Sequence, residues 1–302
     1  MIYRVSHLTE YRYGEPVSSS QHQLHLLPRA SWNQEPQWEE LSVDPAPSRR
    51  QDRTDYFGNR STNVEIQEPH RRLAVLARSE IELRPAPPPP SSSPAWEAVR
   101  DRVRSSRMPI DLEAYELSFA SPYVPGPPAG DIAAFAAASF TPGRPIIDAA
   151  MDLTHRIHGE FIYDSEATNV STPVAEVLAQ RRGVCQDFAH LALACLRAVG
   201  LPGRYVSGYL VTAIPGQPRM VGADASHAWI GIYVPGLGWV DLDPTNDVVP
   251  TDKHITVAYG RDFGDVTPLR GVILGGGRHE LRVVVDVSPV APEADPGRDG
   301  TG

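Results

Sequence analysis

The sequence predicts an α+β protein in three parts: an all-β N-terminal domain over residues 1–83, a linker over 84–94, and a mixed domain of helices and strands over 95–289. Three observations carry this. Residues 2–83 hold short runs (IYRVSHLTEYRY, HQLHLLP, WEELSVDP, STNVEIQ, LAVLARSEIEL) rich in Val, Ile, Leu and Tyr and separated by Pro, Gly, Asn and Asp clusters, which is the punctuation of strands and turns. RPAPPPPSSSP at 84–94 follows; consecutive prolines fix φ and remove donors, so it reads as a stiff extended spacer. Beyond it the apolar spacing becomes helical, and strand-like runs return only after residue 200.

The elements follow in order. In LAVLARSEIEL, Leu73, Val75, Ala77, Ser79, Ile81 and Leu83 form one face of a half-buried strand. Helices are expected at AWEAVRDRVR, DIAAFAAASF and PIIDAAMDLTHRIHGE, the last with Pro145 suited to a first turn. STPVAEVLAQRRG reads as a short helix with Ser171 or Thr172 as cap and Glu176 in its first turns. The central helix starts near Cys185 and is stopped by Gly200 and Pro202. Strands are expected at GRYVSGYLVT, SHAWIGIYV, GWVDLDP and HITVAYG, with HELRVVVDV closing the domain. The tail over 290–302 has little to bury and is expected to be disordered.

Composition excludes several roles. With 28 Lys and Arg against 37 Asp and Glu, the formal charge is −9, which disfavours a nucleic-acid partner and supplies no basic surface for a membrane. No stretch approaches the 18 or so apolar residues of a spanning helix, and the N-terminus lacks the layout of a signal peptide. The expectation is a cytoplasmic protein. Cys185 and Cys195 stand about 15 Å apart along one helix, too far for a disulfide, so both thiols should be free. Two cysteines make no zinc ribbon, and the pairs HRIH at 155–158 and HQLH at 22–25 read as ordinary helix or strand surface. No cofactor or resident metal is expected.

RRGVCQDFAH places a thiol where an almost wholly apolar helix begins. Unpaired N–H groups and the positive end of the helix favour a thiolate there, while Cys195, deeper in the apolar half, reads as core. A helix end contributes about 0.3–2 kcal/mol, too little to ionise an ordinary thiol fully near neutral pH, so an imidazolium partner is required. His190, five residues on, points elsewhere round the helix. His227 is the better partner because it opens the alternating strand SHAWIGIYV. If the following loop runs Val234 to Gly238, centred on Gly236, Asp243 falls opposite Trp229 and on the face of His227; a four-residue loop would turn it away. Asp241 shares that face but stands opposite Gly231, farther from His227. Cys185, His227 and Asp243 then form a nucleophile, a base and an orienter.

GVCQDFAHLALACLRAVGLPGRYVSGYL, SHAW and GWVDLDPTN resemble the three core motifs of the bacterial transglutaminase-like superfamily, and MIYRVSHLTEYRYGEPV with HLLPR resembles the all-β region that precedes them in this subgroup. YGRDFGDVTPLRG and GGGRHEL resemble its C-terminal segment. The resemblance implies a papain-like fold, in which a central helix packs against an antiparallel sheet, with the catalytic cysteine on Cys185 of the helix, the base on His227 and the third member on Asp243 of the sheet. It implies acyl transfer at a carboxamide or peptide bond of a peptide or protein substrate, either as peptidase or amidase, or with a small amine acceptor. It also brings in ATP-grasp-like partner proteins. Tyr163 and Gln180 are candidates for a second oxyanion donor, with packing and a solvated surface as their plainer readings. Trp229 is either a substrate platform or core, and Asp262 and Asp265 either line the cleft or cap turns. A homodimer through the β domain, a gate and a substrate-recognition surface are alternatives for residues 2–83. Beside catalysis stand two other function classes: a binding module without turnover, and a metal site of Cys185, His227 and Asp243. No D-x-[DN]-x-[DN]-G calcium loop is present.

Overall fold

The first strand, β1 (Ile2–Leu24), runs through almost everything that follows. In the computed structural model, which describes residues 1–125, 130–211, 220–222 and 225–290, it is joined in the N-terminal part by β2 (Gln34–Asp44), β3 (Arg49–Thr54), β4 (Arg60–Ile66) and β5 (His70–Leu83). The first half of β1 pairs with β5 and the second half with β4, and the register slips between Arg12 and Val17. Gly14 and Pro16 lie in that slip, where a missing Cβ and a missing N–H let the strand bend. The sheet therefore curls round a core of Val17, Leu24, Ile66, Leu73 and Val75. All six alternating positions of β5 from Leu73 to Leu83 are buried, as their spacing predicts.

After the linker come α1 (Trp96–Ser105), α2 (Pro109–Glu116), α3 (Gly130–Ser139), α4 (Ile146–Glu160), β6 (Ile162–Tyr163), α5 (Val174–Gln180), β7 (Arg182–Gly183) and α6 (Cys185–Ala198). Then β8 (Gly203–Leu210), β9 (His227–Val234), β10 (Gly238–Leu242) and β11 (His254–Gly260) form an antiparallel sheet in the order β10-β9-β8-β11. Ala228, Ile230, Ile232 and Val234 of β9 share a core with Phe188, Leu191, Ala192 and Cys195 of α6, so the helix lies on one sheet face and leaves the other to His227, Trp229 and Tyr233. The α+β architecture with an all-β N-terminal region is the one the sequence predicts.

Several elements differ from expectation. After α7 (Phe263–Val266), the strands β12 (Leu269–Gly275) and β13 (His279–Pro289) pair with the two halves of β1. The curled sheet thus contains both ends of the described chain, whereas alternation alone reveals a strand and not its partner. His22, Gln23 and Leu24 of HQLH end β1, and His22 and His25 are buried, not surface. In HRIH, His155 is exposed and bonds Asp247 at 2.8 Å, and His158 bonds the Thr245 carbonyl at 2.9 Å. Helix α5 is preceded by Pro173 as N-cap in place of Ser171 or Thr172; the Thr172 hydroxyl instead accepts the Asn169 N–H. Helix α2 went unforeseen, although Pro109 at its first position is a start signal. The tail expected to be disordered lies, beyond residue 290, outside the described residues. Among the described residues no helix is long and apolar enough to cross a membrane.

The two sheets meet at β11, which pairs with β8 on one side only. On its other side Gln34 donates to the Thr256 carbonyl at 2.7 Å and accepts the Thr256 N–H at 2.8 Å. Asn59 does the same for Tyr259, at 2.8 and 3.0 Å. Two buried carboxamides from the N-terminal domain thereby stand in for a neighbouring strand and satisfy an edge that would otherwise be orphaned. Gln34→Ala and Asn59→Ala are each expected to cost about 1–3 kcal/mol by leaving buried backbone groups unpaired. Chemical denaturation with fluorescence detection checks this, and wild-type midpoints for both variants would refute it.

Candidate active site

Cys185 is the first residue of α6, and that position is locked from behind. The Asp187 carboxylate accepts the Val184 N–H at 2.8 Å and the Thr168 hydroxyl at 2.6 Å, which fixes the entry of the chain into the helix. The N–H groups of Cys185, Gln186 and Asp187 precede the first intrahelical bond, from the Phe188 N–H to the Val184 carbonyl, and so have no acceptor within the helix. Cys185 itself is nearly buried, at 9% exposure. Cys195 lies fully inside, and burial pushes its thiol up to about 12; it is a core residue. Both cysteines are free.

His227 opens β9 just as Cys185 opens α6, so the two meet where strand and helix begin. The hairpin register places Asp241 opposite Gly231 and Leu242 opposite Ile230, which brings Asp243 level with Trp229. The centre at Gly236 is as expected. The loop is shorter than five residues, because Val234 and Gly238 are themselves paired. Asp243 then leaves the ladder to bridge Val248, and its Oδ2 reaches His227 Nε2 at 2.9 Å.

A carboxylate only accepts, so His227 Nε2 carries a proton and Nδ1 is the nitrogen left for exchange with the thiol. Nδ1 is buried and makes no hydrogen bond of good geometry, although Cys185 is near enough to act on the charge of the ring. The contact is one of proximity, as is common in substrate-free sites. Burial works against a charge on His227, but the carboxylate of Asp243 and then the sulfur of Cys185 outweigh it and raise the ring to about 10. Burial likewise works against a charge on Asp243, and the facing imidazoles hold it well below the usual carboxylate range.

Asp243 is fully buried, and five donors converge on it. Oδ1 accepts the N–H groups of Thr245 at 2.9 Å and Asn246 at 3.2 Å; Oδ2 accepts His227 Nε2, Asn246 Nδ2 at 2.8 Å and His254 Nε2 at 2.9 Å. Asn246 also ties down the Val221–Gly222 turn: its Oδ1 accepts the Val221 N–H at 2.9 Å. Gly222, with φ +85°, packs on the imidazole so closely that a Cβ there would stand 2.7 Å from Nδ1. His254, Asn246 and Gly222 are the parts of the site that sequence reasoning missed. Asn246 was within view in the LDPTN motif, and His254 depended on the pairing of β11 with β8.

The other candidates separate clearly. Trp229 has 0% exposure, stacks on His227 and donates to Asp241 at 3.2 Å, which is the packing role. Asp241 also pairs with Arg204 at 2.9 Å. His190 stacks on Tyr123 and accepts the Phe263 N–H, away from the thiol as expected. Asp262 caps α7, and Asp265, within α7, accepts the Arg261 N–H and pairs with its guanidinium, so both fasten the start of this short helix. Gln180 is exposed and bonds Glu176, far from an oxyanion role. Tyr163 pairs with Gly183, two residues ahead of Cys185, and is partly exposed; it stays a candidate. Among the described residues the ligand-like trio is His227, Asp243 and His254, whose donor atoms lie within 4.8 Å of one another. Both Nε2 atoms stand 2.9 Å from the carboxylate, the spacing of hydrogen bonds in which each ring donates to the shared oxygen.

Residues 3–82 match the bacterial transglutaminase-like N-terminal region, and residues 134–244 match the transglutaminase-like superfamily. An uncharacterized protein of Mycobacterium tuberculosis is 42% identical over 308 residues, covering 97% of this chain and 94% of that one. A protein-glutamine gamma-glutamyltransferase of Pseudomonas aeruginosa is 36% identical over 72 residues, 23% of this chain and 11% of that protein. The crystal structure of a candidate cysteine protease from Cytophaga hutchinsonii has the same fold, with a TM-score of 0.73 and 20% identity over 98% of this chain and 93% of that chain.

The buried pair gives stability a defined pH window. His227 is raised from 6.5, so its contribution is complete below that value and is lost as pH rises through about 10. Asp243 is lowered from 3.8, so its contribution is present above that value and fades as pH falls below it. Relative to Asp243→Asn, the wild type should have its largest melting-temperature advantage between about pH 4 and 6.5, shrinking on either side. Parallel curves for the two proteins from pH 3 to 10 would contradict this.

Proposed function

Because the chain belongs to the transglutaminase-like superfamily, we propose that it is a cysteine-dependent acyl-transfer enzyme with Cys185 as nucleophile, His227 as acid and base, and Asp243 as orienter. The Cys185 thiolate attacks the carbonyl carbon of a carboxamide or peptide bond. Charge developing on the oxygen faces the first-turn N–H groups of α6. His227 passes its Nδ1 proton to the leaving amine, the C–N bond breaks and a thioester remains. Water or an amine then attacks the thioester and returns a proton to Nδ1, and the Cys185 thiolate leaves with its electron pair. Throughout, Nε2–H stays on Asp243, which keeps the ring in the tautomer that exchanges at Nδ1.

The observation that carries this reading is the fully buried 2.9 Å contact between His227 and Asp243 beside a thiol at a helix start. Hydrolysis is our first choice for the second half-reaction, since water needs no separate binding site. The name of the Pseudomonas relative supports the amine route as the alternative, for a peptide or protein carboxamide as donor.

Iodoacetamide at limiting concentration and pH 6 is expected to label one equivalent of thiol, at Cys185. Labelling should vanish in Cys185→Ala and slow at least about tenfold in His227→Ala, in keeping with the usual scale of base assistance. Mass spectrometry after exposure to a peptide and amine library should then trap an acyl adduct on Cys185. A thiol inert below pH 8 would point instead to a binding module without turnover.

A further inference from the structure

We propose that His254 is a positioning residue for the catalytic carboxylate: its Nε2–H, 2.9 Å from Asp243 Oδ2, holds the oxygen that in turn orients His227. This deepens the acyl-transfer reading and rests on it. The geometry is that of one acceptor shared by two imidazoles. The ring centroids of His227 and His254 are 6.1 Å apart, and the Trp229 indole is stacked on the first and edge-on to the second at 5.1 Å. The indole thus neighbours both imidazoles, and a carboxylate that swings toward one ring draws away from the other.

Because Asp243 accepts only, the proton on His254 must sit at Nε2. The bond therefore fixes a tautomer on both rings. If His254 were absent, Oδ2 would keep His227 and Asn246, but the side of the carboxylate facing β11 would be buried without a donor. Such a group relieves its loss by turning. A turn of the carboxylate moves the imidazole, and at a reacting nitrogen even a small misplacement is expensive.

The charged and titratable surroundings leave this bond as the salient one. On the site side His254 faces His227 and Asp243. It also lines a cleft of about 500 Å³ between the two sheets, together with Arg29, Arg204, Asp241 and Tyr259. Those four are engaged with one another: Arg29 and Arg204 flank the Tyr259 ring at 3.8 and 4.3 Å, and Arg204 pairs with Asp241 at 2.9 Å. Asp252 and Lys253 precede His254 in the chain. Among the described residues, Asp243 is the carboxylate in ion-pair range of His254.

The test is the pH profile of Cys185 alkylation by iodoacetamide in the full-length protein, from pH 4 to 10, for wild type, His254→Leu, His254→Gln and His254→Asn. Gln carries an N–H to the position of Nε2, and Asn stops short of it. We expect His254→Leu and His254→Asn to slow labelling at pH 6 by about tenfold or more, the scale typical of groups that orient a reacting residue. The acid limb of their profiles should move to higher pH relative to wild type, and His254→Gln should stay within about threefold of wild type. Should His254→Leu fail to fold, the contrast between Gln and Asn decides alone. A wild-type profile for Leu or Asn overturns the proposal, and so does a Gln variant as slow as Leu. A wild-type thiol that is itself inert below pH 8 is a different failure, that of the acyl-transfer reading.

Discussion

Everything in the site leans on one buried anion. A carboxylate taken fully out of water costs several kcal/mol even after relaxation, and Asp243 offsets that with five hydrogen bonds, three of them to a single oxygen. Bonds to a charged group contribute about 1.5–3 kcal/mol each, so the set offsets that cost, and every member lost gives back a share of it. This is why the residues around Asp243 come from separate elements: β9 supplies His227, the turn after β10 supplies Thr245 and Asn246, and β11 supplies His254. The anion is a tie point for the sheet as well as the partner of the base.

The tie point explains how the site is closed. Asn246 grips Asp243 with its amide N–H and the Val221–Gly222 turn with its carbonyl oxygen, so the chain before β9 is fastened to the carboxylate that orients the ring it covers. Only a glycine leaves room for the ring there. The thiol and the imidazole are thus held at a helix start and a strand start, and the covering turn is held to them through Asn246.

Much of this was legible in the sequence, for reasons that differ by residue. Cys185 announced itself by chemistry, as a thiol at the start of an apolar helix. Asp243 followed from parity: the centre of the β9–β10 turn fixes which face every later residue occupies, and the paired register kept that centre even though the loop was tighter than expected. His254 could not be found this way. Its strand was recognisable, but its neighbour β8 lies some forty residues earlier, and pairing across that distance leaves no periodic trace. The same limit applies to β12 and β13, whose alternation marked strands without saying that they return to β1. HQLH illustrates the converse: polar residues in a strand look solvent-facing until the sheet curls over them.

The N-terminal domain belongs to this chain of constraint. An edge strand with unpaired backbone groups is free to shift register or fray, and β11 carries His254 at its first position. Gln34 and Asn59 remove that freedom by bonding Thr256 and Tyr259 as a strand would, and Arg29 adds its guanidinium to the face of Tyr259. The register of β11 against β8 is therefore held from both sides, with its irregularity between Thr256 and Ala258 caught between the two carboxamides. A side chain that must meet one carboxylate oxygen to within a few tenths of an ångström needs a backbone of that rigidity. Fusing the curled sheet to the α6-bearing domain supplies it, so the all-β region is part of the geometry of the site whatever else it binds.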